Sequence, residues 1–220
     1  MGWNFNFLTD GKIIYFIKGA GWTIVISLAS VVLGVIFGSI LTFLKRSRYK
    51  VLRYISSAYI EIVRGTPLLL QIYIVYYGLT NVVNINELMA VIIALSLNSG
   101  AYVSELIRAG IEAVDKGQVE AARSLGMSES MAMRLIVIPQ AVKNILPAIG
   151  NEFVAIIKES SMASTLGVAE LMYGAKVVSA GSFNYVETLI TSAVFYFIMT
   201  FSLGRLIKYV ERRLKVSDTN

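Results

Sequence analysis

Residues 19–44 read GAGWTIVISLASVVLGVIFGSILTFL, a run of 26 residues without a charged side chain. A helix needs roughly 20 apolar residues to cross a bilayer, so this run is long enough to span one. A signal peptide has a basic start and a shorter apolar centre, whereas this chain opens MGWNF and first carries a charge at Asp10. The run therefore predicts a first transmembrane helix, preceded by an extracytoplasmic interfacial segment at residues 1–18.

The composition excludes several classes of protein. Apolar residues make up 56% and charged residues 15% of the 220 residues, and the mean hydropathy is +0.67. Soluble domains average roughly 45–50% apolar and 25% charged residues. The chain contains neither cysteine nor histidine, which removes disulfides, thiol nucleophiles, histidine bases and histidine metal ligands. We therefore expect a membrane protein with no metal site, whose mechanism uses carboxylates, amides, hydroxyls or conformational change.

Four further weakly charged stretches follow the first, at residues 65–86, 88–104, 145–157 and 188–204. The helix of the second span is expected to begin earlier, near Ser56. The fourth stretch is the weakest, because it is only 13 residues long and contains Glu152. The pattern predicts an all-α integral membrane protein, with five transmembrane helices in one domain at residues 19–210 and a tail at 211–220.

The basic residues indicate the orientation of the spans. With the N-terminus outside, 16 of the 20 lysines and arginines fall on the cytoplasmic side, and four fall outside: Lys12, Lys18, Lys158 and Lys176. This distribution satisfies the positive-inside rule and puts the C-terminus in the cytoplasm. An even number of spans would put the basic cluster at residues 45–53 and the C-terminal basic residues on opposite sides of the membrane, so the positive-inside rule also supports five spans. The net charge of +6 therefore needs no nucleic-acid partner.

The segment between the third and fourth spans is unusually long for a connection without a role. Residues 120–125 are good helix formers, and Gly126 stands where a left-handed glycine would end a helix. Ser128 can cap the next helix, with Glu129 in its first turn. The segment therefore predicts a short helix that protrudes from a loop at about residues 112–139 and docks onto another protein.

The spacing in this loop resembles a known family. Glu120-Ala121-Ala122 is followed at fixed intervals by Gly126, Ile136, Ile138 and Pro139, which is similar to the EAA loop of bacterial ABC importer permeases. Ile138 occupies a position of this loop that is usually leucine in the family. Further segments resemble the polar-amino-acid branch of that family: residues 64–68 (RGTPL), 101–102 (AY) with Glu105 and Arg108, 139–141 (PQA) and 158–161 (KESS).

The resemblance implies a fold like that of type I ABC importer permeases, and a location in the bacterial cytoplasmic membrane. Its implied partners are two ATPase subunits, a second permease chain that is identical or a close paralogue, an extracytoplasmic amino-acid-binding protein, an amino-acid substrate and lipid. The chain contains no G-x-x-x-x-G-K-[ST] motif for binding phosphates. ATP and Mg²⁺ would therefore be bound by the partner ATPase, and this chain would hold no cofactor and no catalytic residue.

Five residues are expected to couple this chain to the ATPase: Glu120, Ala121, Ala122, Leu125 and Gly126. The two alanines permit close approach, and Leu125 supplies an apolar anchor. Glu120 can accept charge-assisted hydrogen bonds from a basic partner, while Gly126 ends the helix.

Glu152 is the clearest candidate for substrate contact, because an ionisable group at bilayer depth is costly unless it faces a cavity or a partner. Asn151 adjoins it, and Asn98 and Ser161 offer donors for a substrate carboxylate. If Glu152 faces the cavity, it can pair with an ammonium or a guanidinium group. This interpretation favours basic amino acids, namely arginine, lysine or histidine.

Several alternatives remain open from the sequence. Glu152 can instead pair internally with Arg64 or Lys158. Glu61 with Arg64, and Glu105 with Arg108, are expected to form internal i,i+3 ion pairs near the cytoplasmic interface, with gating as the other role.

Other functions are also open. The substrate can be of the glutamine or glutamate type. A secondary transporter that works without ATP is a competing class, although five spans do not divide into two equal repeats. A membrane-embedded enzyme would need a close pair of carboxylates at bilayer depth, and the sequence places no two acidic residues side by side there.

Overall fold

The structure is a computed structural model, and it describes residues 4–80 and 82–216. Within these ranges the chain is helical and contains no β-strand, which confirms the predicted all-α class. The α-helices are α1 (Ile13–Lys45), α2 (Lys50–Arg64), α3 (Leu68–Thr80), α4 (Glu87–Glu112), α5 (Lys116–Ser124), α6 (Glu129–Ala132), α7 (Ile138–Glu159), α8 (Leu171–Ser182) and α9 (Tyr185–Val216).

Four helices in the described ranges are long and apolar enough to cross a membrane: Ile13–Lys45, Glu87–Glu112, Glu129–Leu166 and Tyr185–Leu214. The third of these joins α6, a π-helical turn at Met133–Val137, α7 and a 3₁₀ segment at Ser160–Leu166. The helices α2 and α3 pass the same test only as a pair, and they meet at an angle of 113°. The count reaches the predicted five when this bent pair is taken as one span.

The second span differs from the predicted continuous helix beginning near Ser56. It is broken at residues 65–67, because Pro67 has no N–H to donate and its ring disfavours the helical conformation at Thr66. The Gln71 amide donates to the Val63 carbonyl at 2.7 Å and to the Thr66 carbonyl at 3.1 Å. A side chain thus takes the place of the backbone donors that the break removes.

The ends of the predicted domain also differ from the expectation. α1 begins at Ile13, so part of the segment expected at the interface belongs to the first helix. Phe7 and Phe16 are buried, and the Phe16 ring stacks on Phe195 at 5.9 Å. α9 continues to Val216, so most of the tail predicted at 211–220 is helical. Residues 1–3 and 217–220 lie outside the described residues.

The fourth span extends well beyond the apolar run that predicted it. The helical segment continues through Lys158 and Glu159 to Leu166. Ile156 belongs to the same buried cluster as Val91 and Leu95 of α4. Lys158, which the charge distribution assigned to the outside, is thus an exposed residue inside this helical segment, because helical hydrogen bonding continues where hydropathy falls.

α1 and α4 form the most extensive helix contact in the described chain. Gly34 and Gly38 of α1 make this contact possible, since small residues let two helix backbones approach closely. A Cβ atom at Gly34 would lie 2.8 Å from Ser99 Cβ, and one at Gly38 would lie 2.7 Å from the carbonyl oxygen of Gly100. The pair α1 and α4 is the frame on which the other helices assemble.

Glu170 joins three helices at the opposite end of the bundle from Lys45 and Glu105. Its side chain is fully buried and accepts hydrogen bonds from the first backbone N–H groups of α8, at Met172 (2.9 Å) and Tyr173 (2.8 Å). The Tyr196 hydroxyl of α9 donates to it at 2.8 Å. Thr23 of α1 lies 3.5 Å away. These bonds satisfy the carboxylate, so we assign it to the structure and not to a reaction.

Candidate functional site

The short helix predicted between the third and fourth spans is present as α5, and local hydrogen bonds fix both of its ends. Asp115 Oδ1 accepts a hydrogen bond from the Gly117 N–H at 2.6 Å and so caps the N-terminus. Gly126 has φ +88°, and its N–H and that of Met127 donate to the carbonyls of Arg123 and Ala122. This is the Schellman arrangement that ends a helix at a left-handed residue. Ser128 then caps α6, as predicted.

The exposed surface of α5 is suited to docking. Leu125 is 85% exposed at its C-terminal end, and Glu120 and Ala121 are also exposed. Ala122 differs from the expectation, because it is only 5% exposed and its methyl group packs inside this chain. The surface open to a partner therefore consists of Glu120, Ala121 and Leu125, beside a shallow groove that Gln118, Met127 and Ile136 also line.

Packed side chains connect α5 to the membrane-spanning helices. A buried cluster behind α5 contains Val114, Val137 and Ala141, with Val119 of α5 packed against it. Val114 follows α4, while Val137 lies in the π-helical turn that precedes α7. Turns of this kind are rare and frequently occur at functional sites. A displacement of α5 would therefore act on both α4 and α7.

Glu105 is the centre of a charge cluster where α1, α2 and α4 meet. Its carboxylate lies 2.7 Å from Lys45 Nζ, 2.9 Å from the Arg108 guanidinium and 3.8 Å from that of Arg64. The pair of Glu105 with Arg108 is the predicted one. The predicted pair of Glu61 with Arg64 is wrong, because Arg64 turns to Glu105 and lies over the Tyr102 ring at the bend before α3.

We expect the Glu105→Gln substitution to lower the free energy of unfolding by about 1–3 kcal/mol, because three cations lose their shared anion. Glu112→Gln is the matched control, since Glu112 is well exposed and pairs only with Arg108 among the described residues, at 2.6 Å. Glu112→Gln is expected to change the free energy of unfolding by less than about 1 kcal/mol. Thermal unfolding in detergent measures both, and equal shifts would contradict the central role of Glu105.

A polar stripe runs along α7 at the depth of the apolar core. Asn144, Asn151 and Lys158 recur every seven residues and are exposed, while Glu152 and Glu159 lie half-buried beside them. Among the described residues, no cationic nitrogen lies within 4.0 Å of either carboxylate. The expected alternative of an internal pair of Glu152 with Arg64 or Lys158 is therefore absent from the described chain.

The four predicted substrate residues do not form one group. Asn151 and Glu152 lie on the stripe, whereas Ser161 is half-buried in the following 3₁₀ segment. Asn98 differs most from the expectation, because it is 4% exposed and its amide donates to Gln71 Oε1 at 2.9 Å. It thereby supports the bend between α2 and α3.

Sequence reasoning assigned no role to Asn144. Its seven-residue spacing to Asn151 and Lys158 was the available signal, because that spacing returns to the same helix face.

Comparison with known proteins identifies the family. A family model described as "binding-protein-dependent transport system inner membrane component" matches residues 30–216. The chain belongs to this family. It is thus a multi-pass membrane component of such a system, as the resemblance implied.

Individual relatives match over nearly their full length. The arginine transport system permease protein ArtQ of Bacillus subtilis (strain 168) is 41% identical over 212 residues, covering 96% of this chain and 97% of ArtQ. The putative glutamine transport system permease protein GlnP of Rickettsia prowazekii (strain Madrid E) is 41% identical over 208 residues, covering 94% and 95%.

Solved structures confirm the fold of this family member. A crystal structure of an amino acid ABC transporter with histidines contains a chain that is 44% identical, with a TM-score of 0.93 over 97% of this chain and 100% of that one. The inward-facing MetNI methionine ABC transporter matches with a TM-score of 0.74 at 17% identity, over 92% and 97% of the two chains. The predicted permease-like helical fold is therefore confirmed.

Proposed function

We propose that this chain is the transmembrane subunit of an ATP-driven importer of amino acids, most specifically basic ones. The relatives described as arginine and glutamine permeases, and the related amino acid transporter structure, support the substrate class. The observation that carries the proposal is the polar stripe of α7, where no cationic nitrogen of the described residues lies within 4.0 Å of either carboxylate.

The stripe also supports a dimer. A lipid-facing stripe of Asn144, Asn151 and Lys158 would be costly in the apolar part of a bilayer, because nothing there solvates such groups. A second copy of this chain, or a close paralogue, related by a two-fold axis would turn this face into the wall of an enclosed aqueous path. One chain thus supplies half of the path.

The remaining subunits follow from the same proposal. Two ATPase subunits would bind the exposed surface of α5 and hydrolyse ATP with Mg²⁺, and an extracytoplasmic binding protein would deliver the amino acid. This arrangement requires the N-terminus outside and the C-terminus in the cytoplasm. Closure of the ATPase would move α5 and rock the two halves of the path, which gives alternating access.

Basic substrates are favoured by charge complementarity. Glu152 and Glu159 share one face of α7, and both favour a cation in the path. Asn151 beside them offers an amide donor for the substrate carboxylate. A substrate of the glutamine type is the second candidate, and the equal identity to the glutamine permease protein supports it.

We expect Glu152→Gln to reduce arginine import about 10-fold or more while sparing glutamine import, because a charge-assisted bond lost at this depth costs at least ~1.4 kcal/mol. Uptake of each labelled amino acid by the complete complex in vesicles measures this selectivity. The exposed acid Glu61 provides the control Glu61→Gln, which should leave both rates unchanged. Unchanged arginine import by Glu152→Gln would refute the basic-substrate proposal, and uptake without the ATPase subunits would favour a secondary transporter.

A further inference from the structure

The helix α2 divides its surface into three stripes. Ser56 and Ile60 are buried, with Tyr59 and Val63 packed beside them against Leu41 and Ala101. A second stripe is apolar and faces away from the described chain: Val51, Ile55 and Ile62 are each about 60–70% exposed. The third stripe is polar and contains Lys50, Arg53, Ser57, Glu61 and Arg64.

This helix runs across the bundle and not along it. It meets α3 at 113°, and α3 packs along α4. Tyr59 contacts Phe37 of α1 with ring centroids 5.5 Å apart, and its hydroxyl donates to the Leu97 carbonyl at 3.0 Å. Arg64 at the other end reaches Glu105. Both ends of the helix therefore lie near the end of α1, where Lys45 also meets Glu105. The proposed topology puts that end of α1 at the cytoplasmic surface of the membrane.

Four basic residues lie at the start of α2 or just before it, and they form no ion pair with the described acidic residues. Arg46, Arg48, Lys50 and Arg53 are all exposed, and none forms an ion pair with a described residue. Their neighbour Lys45 is different, because it is paired with Glu105. Tyr49 and Tyr54, both mostly exposed, stand among these cations.

We infer that α2 and the segment before it form a binding surface for anionic phospholipids of the cytoplasmic leaflet. The exposed apolar stripe enters the acyl region, and the four unpaired cations contact phosphate headgroups. An amphipathic helix with basic residues on its polar face and apolar residues on the other binds a membrane surface in this way. Clusters of four or more lysines and arginines just cytoplasmic of a spanning helix attract anionic lipid.

Lipid is favoured over a protein partner by the geometry of the two exposed stripes. Lys50 and Arg53 lie on a different side of α2 from its apolar side chains, as the boundary between headgroups and acyl chains requires, and Arg46 and Arg48 directly precede the helix. The inference rests on the proposed topology for the choice of leaflet. The tests below measure bound lipid and not import. The lipid-binding inference can therefore fail while the proposed import function holds, and the reverse is also possible.

The first test measures the lipid that copurifies with the complete complex from vesicles of phosphatidylcholine and phosphatidylglycerol. We expect the double substitution Lys50→Gln/Arg53→Gln to lower the affinity for phosphatidylglycerol by about 10-fold. The control is Lys12→Gln/Lys18→Gln, which removes two cations that the proposed topology places on the outer side of the membrane. Unchanged phosphatidylglycerol, an equal loss in the control, or loss of ATPase subunits with lipid retained would each overturn the inference.

The second test locates the apolar stripe and does not depend on charge. Because the chain contains no cysteine, Ile55→Cys and Ser57→Cys can each carry a single environment-sensitive label when the partner subunits are also free of cysteine. Brominated lipid should quench the label at position 55, and aqueous iodide should quench the label at position 57. A label at position 55 that is shielded from both quenchers would show that a protein covers this face and would overturn the inference.

Discussion

The Gly126→Val substitution is expected to reduce both import and substrate-stimulated ATP hydrolysis at least about 10-fold, while membrane insertion stays intact. Gly126 has φ +88°, a region that a β-branched residue occupies only at a cost of about 1–3 kcal/mol. Relief of that strain would break the two hydrogen bonds that end α5 at Ala122 and Arg123. The exposed anchor Leu125 would then leave its place on the docking surface. Transport and ATP hydrolysis by the complete complex in vesicles measure the loss.

Two further variants make this result specific. Gly126→Asn should keep most of the activity, since asparagine tolerates the left-handed region. Gly204→Val changes a glycine of α9 that has no positive φ and nothing within 4 Å of an added Cβ atom, so it should be nearly neutral. Full activity of Gly126→Val would disprove the docking role. Equal loss in Gly126→Asn would show that backbone conformation is not the cause.

The Gly38→Leu substitution is expected to lower the stability of the whole bundle by about 3 kcal/mol or more, because overpacking a tight contact forces its neighbours apart. A Cβ atom here would lie 2.7 Å from the Gly100 carbonyl oxygen and 2.9 Å from Val103 Cβ. The carbonyl belongs to the backbone of α4 and cannot rotate away. For a chain of this size, the expected fall in Tm is about 6–12 °C.

A glycine of the same helix supplies the control for that prediction. Gly21 of α1 has nothing within 4 Å of an added Cβ, so Gly21→Leu should change the Tm by only about 1–2 °C. Thermal unfolding of the purified chain in one detergent compares the two variants. Equal shifts would mean that the contact of α1 with α4 does not limit stability.

The features that sequence predicted well depend on neighbouring residues alone. The apolar run at 19–44 predicted a helix because hydropathy acts on each residue independently of the fold. Gly126 and Ser128 predicted the two helix ends around the docking loop, since a left-handed glycine and a serine cap act within one turn. These predictions needed no knowledge of what packs against what.

The wrong or altered predictions share another property. Arg64 has a polar neighbour of opposite charge on its own helix, yet it pairs with Glu105, because the break at Pro67 turns α2 toward α4. Asn98 was expected to contact substrate, but it supports that same bend through Gln71. In both cases the partner lies on another helix, Glu105 for Arg64 and Gln71 for Asn98. Spacing along one helix does not predict such a contact.

The sequence by itself determined the membrane class, the family resemblance and the short helix α5, because each rests on composition or on short-range spacing. Only the tertiary structure decided that the second span is bent, that Glu105 joins three cations, and that Glu152 lies on an open polar stripe with Lys158. The physical reason is that a side chain's partner and exposure are set by which helices pack together. Hydropathy determines that a helix enters the membrane, whereas the packing of neighbouring helices determines which of its faces stays exposed.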